Sequence, residues 1–264
     1  MIALSQEQID DLRELQGHCE QLKTEFVVIG AIAYQCSFPN ESRHTGDIDI
    51  AVALDLPDFG EMEKRLQSDG WTRNPTREHR WRSRRATLVD LLPAGRELRK
   101  AGQITWPQSQ FTMSLIGFNH VFGEARPIMI APQFSIQVIP APVLMLLKIV
   151  AFMDDHYRRE RDLSDIRSIL ALYQADGERI FSDEVLNAGL EDVDLAGAFL
   201  IGLDVRSLCT AEELAVVHRF IAAVSDESGM ARAMFVRAAT RASRRSEQSA
   251  LEEIQAFKSG MEKS

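Results

Sequence analysis

Hydrophobic and polar positions alternate along the chain with two periods, and each period predicts a different element. Ser5 and Gln8 have the form of a capping box, and Ile9, Leu12, Leu15, Cys19 and Leu22 recur at helical spacing, so the chain opens with a helix. Phe26-Val27-Val28-Ile29-Gly30 is a β-branched run closed by glycine, which reads as a buried strand ending at a turn. A helix begins near Ala31, and the polar stretch 39–46 is a loop. From Asp47 to Leu54 the period is two. Ile48, Ile50, Val52 and Leu54 take one face of a strand, and Asp47, Asp49, Ala51 and Ala53 take the other. A helix over 57–68 follows, with Pro57 accommodated in its first turn. An arginine-rich segment then leads into a strand over 86–92. Short strand-like pieces near 111–118, 127–130 and 135–139 complete this half.

After Pro142 the period is helical throughout. Residues 143–152 are apolar on nearly every side, which predicts a buried helix. Segments 162–172, 183–188, 211–224 and 228–258 are rich in Ala, Leu, Glu and Arg and read as further helices. The expected organisation is an α+β domain over 1–140 followed by a helical domain over 141–264.

Composition narrows the class. The chain has 264 residues, 45% of them hydrophobic and 26% charged, as in an ordinary globular protein. No apolar run reaches the roughly 18 residues a membrane helix needs, because Lys148 interrupts the longest one. The first residues lack a basic segment followed by an apolar one, so no signal peptide and a cytoplasmic location are expected. Cys19, Cys36 and Cys209 are widely spaced, without the paired spacing of a zinc site or a disulfide framework. No nucleophile elbow, P-loop or dinucleotide-binding glycine motif occurs, which removes those enzyme classes.

Charge is unevenly distributed. Residues 1–70 hold 5 basic and 14 acidic side chains, residues 71–100 hold 9 and 3, and the remainder 16 and 22, for a net charge of −9. The basic segment, with Arg73, Arg77, Arg80, Arg82, Arg84 and Arg85 interleaved with Trp71, His79 and Trp81, is a candidate surface for an RNA or nucleotide. A charged, solvated hairpin answering acidic helices is the alternative.

The chemistry concentrates at Asp47-Ile48-Asp49. Two carboxylates at i and i+2 on a strand project from one face, roughly 7 Å apart at Cα. They repel unless a cation lies between them, and Mg²⁺ suits such a pair because it takes one or two carboxylates and completes its shell with water and phosphate oxygens. A third acid on a neighbouring strand would complete a site for phosphoryl chemistry, and Asp90 is the candidate. The alternative is a solvated strand edge.

Strand, Gly30, helix, and then Arg43-x-Thr45-x-Asp47-x-Asp49 together resemble the DNA polymerase β-like nucleotidyltransferase superfamily. Within it the chain is most similar to the AbiEii/AbiGii toxin nucleotidyltransferases over about residues 26–170. The resemblance implies a small mixed sheet flanked by helices, then a helical C-terminal domain, with the active site in the cleft between them. It also implies transfer of a nucleoside monophosphate from an NTP to an acceptor. Asp47, Asp49 and Asp90 would hold Mg²⁺ or Mn²⁺, and Asp90 would also act as base. Gly30, Ala31, Arg43, Thr45, Lys148 and Asp165 would contact the nucleotide. Ala31 departs from the family's glycine or serine. The acceptor would be an RNA such as tRNA, a protein or a small molecule, and an antitoxin would be a partner. Two readings stand beside this one: an inactive, partner-binding protein that keeps the fold, and an antibiotic-modifying enzyme. Asp162 is expected as the N-cap of the helix over 162–172.

Overall fold

The computed structural model describes residues 4–40, 46–174, 177–239 and 246–263. Arg43, His44 and Thr45 lie outside them, as do Arg241, Arg244 and Arg245 of the basic C-terminal stretch. The described chain forms two compact units, 1–140 and 141–264.

The first unit begins with α1 (Gln6–Gln21), whose N-terminus carries the reciprocal Ser5–Gln8 capping box. Leu12, Leu15 and Cys19 are buried along one stripe. The strand β1 (Phe26–Ile29) is buried along its whole length and runs directly into α2 (Gly30–Ser37). Next come β2 (Asp47–Val52) and α3 (Leu56–Ser68), which has proline in its first turn. The pieces β3 (Thr72–Arg73) and β4 (Arg80–Arg82) lead to β5 (Leu88–Pro93). After α4 (Arg96–Ala101), a separate ribbon pairs β6 (Gln103–Thr105) with β7 (Thr112–Ser114). The unit closes with α5 (Phe118–Gly123), β8 (Arg126–Ala131) and β9 (Phe134–Val138).

Seven strands form a mixed sheet in the order β3-β4-β5-β2-β1-β9-β8. The β2·β5 and β1·β9 pairs are parallel and the other four antiparallel. Parallel strands at the sheet centre are covered on both sides, and the apolar face of β2 and β5 is correspondingly closed: Ile48, Ile50, Val89 and Leu91 are all fully buried. This fixes the register, because slipping either strand by one residue would drive its aspartate into the core.

The second unit is helical: α6 (Ala141–Asp154), α7 (Glu160–Leu172), α8 (Asp183–Leu186), α9 (Ala196–Leu208), α10 (Ala211–Ser225), α11 (Met230–Arg237) and α12 (Glu247–Glu262). The stretch 228–258, expected as one helix, forms two, α11 and α12. Helices α9 and α12 cross at glycines: a Cβ on Gly202 would lie 2.3 Å from the Phe257 carbonyl oxygen, and one on Gly260 would lie 2.1 Å from that of Phe199. At α7 a fully buried Arg167 donates to Glu253 on α12 and to the carbonyl of Val236, with its guanidinium over the Phe235 ring.

Candidate active site

The aspartates are brought together by register. In the parallel β2·β5 pair Asp49 lies opposite Asp90 and Asp47 opposite Leu88, so the three carboxyl-bearing residues share one face. The same row extends both ways: Ile29, the last residue of β1, pairs with Asp49, and Arg80 on β4 pairs with Asp90. Gly30 follows at the first turn of α2 with φ +63°, and a Cβ there would sit 2.1 Å from Asp49 Oδ2. Only glycine admits both this backbone and this approach. Ala31, next along, is buried.

Arg80, grouped in the sequence with the other arginines of a candidate RNA or nucleotide surface, instead reaches the aspartates. Its Nε donates to Asp90 Oδ1 at 2.7 Å, and its terminal Nη2 donates to Asp90 Oδ2 and to Asp47 Oδ2, each at 2.7 Å. The guanidinium thus lies as a cation between two of the three carboxylates. Its hydrogen bonding to Asp90 and its attraction to Asp90, Asp47 and Asp49 hold its pKa above the usual arginine value despite partial burial. His79 Nε2 stands 4.0 Å from Asp90 Oδ2, and its ring meets that of Trp106 in a tilted contact. The donor set suits a hard divalent cation: carboxylate oxygens only, on two neighbouring strands, with positive charge already drawn between them. A bond from β4 to β5 was the signal that would have found Arg80, since it requires only that residues 80 and 90 face each other across a short hairpin.

The rest of the arginine segment is largely engaged within the fold. Arg73 pairs with Glu63 and with Glu78, whose buried carboxylate also accepts the backbone N–H groups of Gln108 and Ser109. Burial alone would raise the Glu78 pKa, but these hydrogen bonds outweigh it and hold the group below the usual glutamate value. Arg85 donates to Asp11 at 2.7 Å and to Glu14 at 2.9 Å, and Ser83 donates to Asp11 as well, which ties the β4–β5 turn to α1. Trp71 and Trp81 are core side chains, not stacking platforms: both are buried, and Trp71 Nε1 donates to Glu14. Arg77 and Arg82 remain exposed.

Glu14, His18 and Asp69 form another cluster whose ligand atoms lie within 4.8 Å of one another. Arg85 and Trp71 already occupy the Glu14 carboxylate there, and two arginines stand beside it.

In the second unit Lys148 lies on α6 with its side chain almost wholly buried. Its Nζ sits 2.6 Å from both Asp162 Oδ1 and Asp165 Oδ2. Asp162 is therefore not the N-cap: α7 starts earlier, with Arg159 in that position, and Asp162 is drawn to the ammonium by the need to compensate a buried charge.

A mixed sheet flanked by helices and followed by a helical unit is the fold that the nucleotidyltransferase resemblance implied. The chain belongs to the AbiEii family: the model described as nucleotidyl transferase AbiEii toxin, type IV TA system, matches residues 15–214. Among solved structures it is similar to the antibiotic-resistance factor ANT(2'')-Ia, at 12% identity and TM-score 0.42 over 83% of this chain and 96% of that one. It is also similar to an antigenic nucleotidyltransferase-like protein from Paracoccidioides brasiliensis, at 16% identity and TM-score 0.41 over 78% and 93%. No curated protein matches.

Proposed function

We propose that the chain moves a nucleoside monophosphate from an NTP to an acceptor hydroxyl, with pyrophosphate leaving. The observation that carries this reading is the β2·β5 register, which sets Asp49 beside Asp90 with Asp47 two residues away on the same face. Asp47, Asp49 and Asp90 would hold Mg²⁺ or Mn²⁺, which when bound neutralises charge building on the phosphate oxygens. Asp90 takes the proton of the attacking hydroxyl as the acceptor oxygen bonds to the α-phosphorus and the bond to the bridging oxygen breaks. Gly30, at the start of α2, leaves the space in which the Asp49 carboxylate is held. Lys148 and Asp165 belong to the second unit, where the ammonium is held between Asp162 and Asp165. The acceptor is an RNA such as tRNA, approached through the exposed Arg77 and Arg82, and the family's toxin–antitoxin setting supplies an antitoxin as protein partner.

The test is incubation with labelled NTPs, Mg²⁺ and total RNA. Labelled RNA is expected from the intact chain and none from Asp49→Ala, because removal of a metal-binding carboxylate leaves the phosphates unneutralised. Labelling that survives in Asp49→Ala would overturn the reading. A second reading, a fold retained for partner binding without catalysis, draws support from one observation: Arg80 fills the space between Asp47 and Asp90.

A further inference from the structure

The guanidinium of Arg80 donates to both oxygens of Asp90 and to one of Asp47, so it already supplies a cation to two of the carboxylates that would bind metal. Its fork is matched to two carboxylate oxygens, and an arginine fork matches phosphate oxygens equally well. The backbone of β4 is paired with β5 and the following turn is held by the Asp11–Ser83–Arg85 network, so the exchange needs only a rotation of the Arg80 side chain. We propose that Arg80 is an internal counter-ion that closes the metal site before substrate arrives, and that it exchanges Asp90 and Asp47 for a phosphate of the bound nucleotide as the metal takes its place.

The exchange conserves charge pairing. Two carboxylates hand one cation to an anion and receive another, so neither the aspartates nor the arginine is left buried and unpaired. It also orders events. Metal binds weakly to the free protein and tightly once a nucleotide is present, and by linkage nucleotide binds tightly only with metal. Asp90 becomes available as a base only after Arg80 has left it. This inference rests on the proposed metal role of the aspartates, and the experiment separates the two.

Mn²⁺ is titrated into the full-length protein and free Mn²⁺ is read by electron paramagnetic resonance, with and without a non-hydrolysable NTP analogue. The proteins compared are wild type, Arg80→Gln, Arg80→Lys and Asp49→Asn, each checked for folding by circular dichroism. Without nucleotide, Arg80→Gln is expected to bind Mn²⁺ about tenfold tighter than wild type or more, since a unit positive charge has been removed a few ångströms away. Arg80→Lys keeps the charge but not the fork and is expected to fall between them. The analogue tightens Mn²⁺ binding in wild type by a larger factor than in Arg80→Gln. Equal Mn²⁺ affinity in wild type and Arg80→Gln, with binding lost in Asp49→Asn, overturns the inference and leaves the proposed function standing. Absence of Mn²⁺ binding in every folded protein overturns both. Should Arg80→Gln not fold, Arg80→Lys carries the comparison, and an affinity equal to wild type counts against the exchange.

Discussion

Gly30 meets Asp49 so closely that the pair behaves as one unit: the glycine's missing side chain is the space in which the carboxylate lies. Gly30→Ala must relieve a 2.1 Å contact while holding an L-residue at φ +63°. The expected cost is about 1–3 kcal/mol in urea unfolding, together with loss of nucleotidyl transfer through displacement of Asp49. A larger effect on activity than on stability is the signature that separates a site glycine from a plain turn. At this scale the Asp47–Asp49 pair was legible because period-two alternation states which face each residue occupies. Asp90 was legible for another reason, as the one acid within an apolar run that reads as a neighbouring strand. Arg80 was not, since it sits among six arginines of equal apparent merit, and only the pairing of residue 80 with residue 90 distinguishes it. The tryptophans misled for a physical reason: beside arginines they suit nucleic acid, yet a Trp buried with its N–H on Glu14 satisfies the same composition.

Among the elements, the helices of the second unit are joined by a charge as well as by packing. Arg167 on α7 and Glu253 on α12 are both buried, and the arginine also reaches the Val236 carbonyl and the Phe235 ring. Arg167→Met takes a buried cation away from the buried Glu253 carboxylate and is expected to lower stability by roughly 3–5 kcal/mol, measured by chemical denaturation. The double variant Arg167→Met with Glu253→Met is expected to recover much of that loss. A double variant no better than the single one would show that the packing of the arginine, not its charge, holds the helices. Helix α9 escaped sequence reading altogether. Gly197 and Gly202 lower helix propensity, and the apolar residues run all round instead of forming a stripe. The glycines are there because neighbouring backbones approach where a Cβ would be, a contact invisible in one segment of sequence. By contrast α1 was legible to its first residue, since a capping box is a local signal.

For the whole molecule, no helix among the described residues is long and apolar enough to cross a membrane. All three cysteines are free, and burial pushes each thiol up: Cys19 and Cys209 to about 12, Cys36 to about 11. Well below pH 9 the thiols are largely neutral in both folded and unfolded chains. As pH rises past the ordinary value of 9.0, the unfolded chain ionises first and the fold loses stability through the range up to about 12. At pH 8 the native protein is expected to react with a thiol-specific disulfide reagent more slowly than the chain in denaturant, and the buried Cys19 is expected to react last. Rapid reaction of one thiol in the native state would mark an electropositive setting that the fold does not give it. The family match begins at residue 15, inside α1, and that edge invites trimming. A chain cut there would shed Asp11, the acceptor for both Ser83 and Arg85, and with it the clasp on the bend between β4 and β5. The first two turns of an unremarkable helix thereby govern, from the far end of a lever, how firmly the gatekeeping arginine is aimed, and any shortened version should keep them.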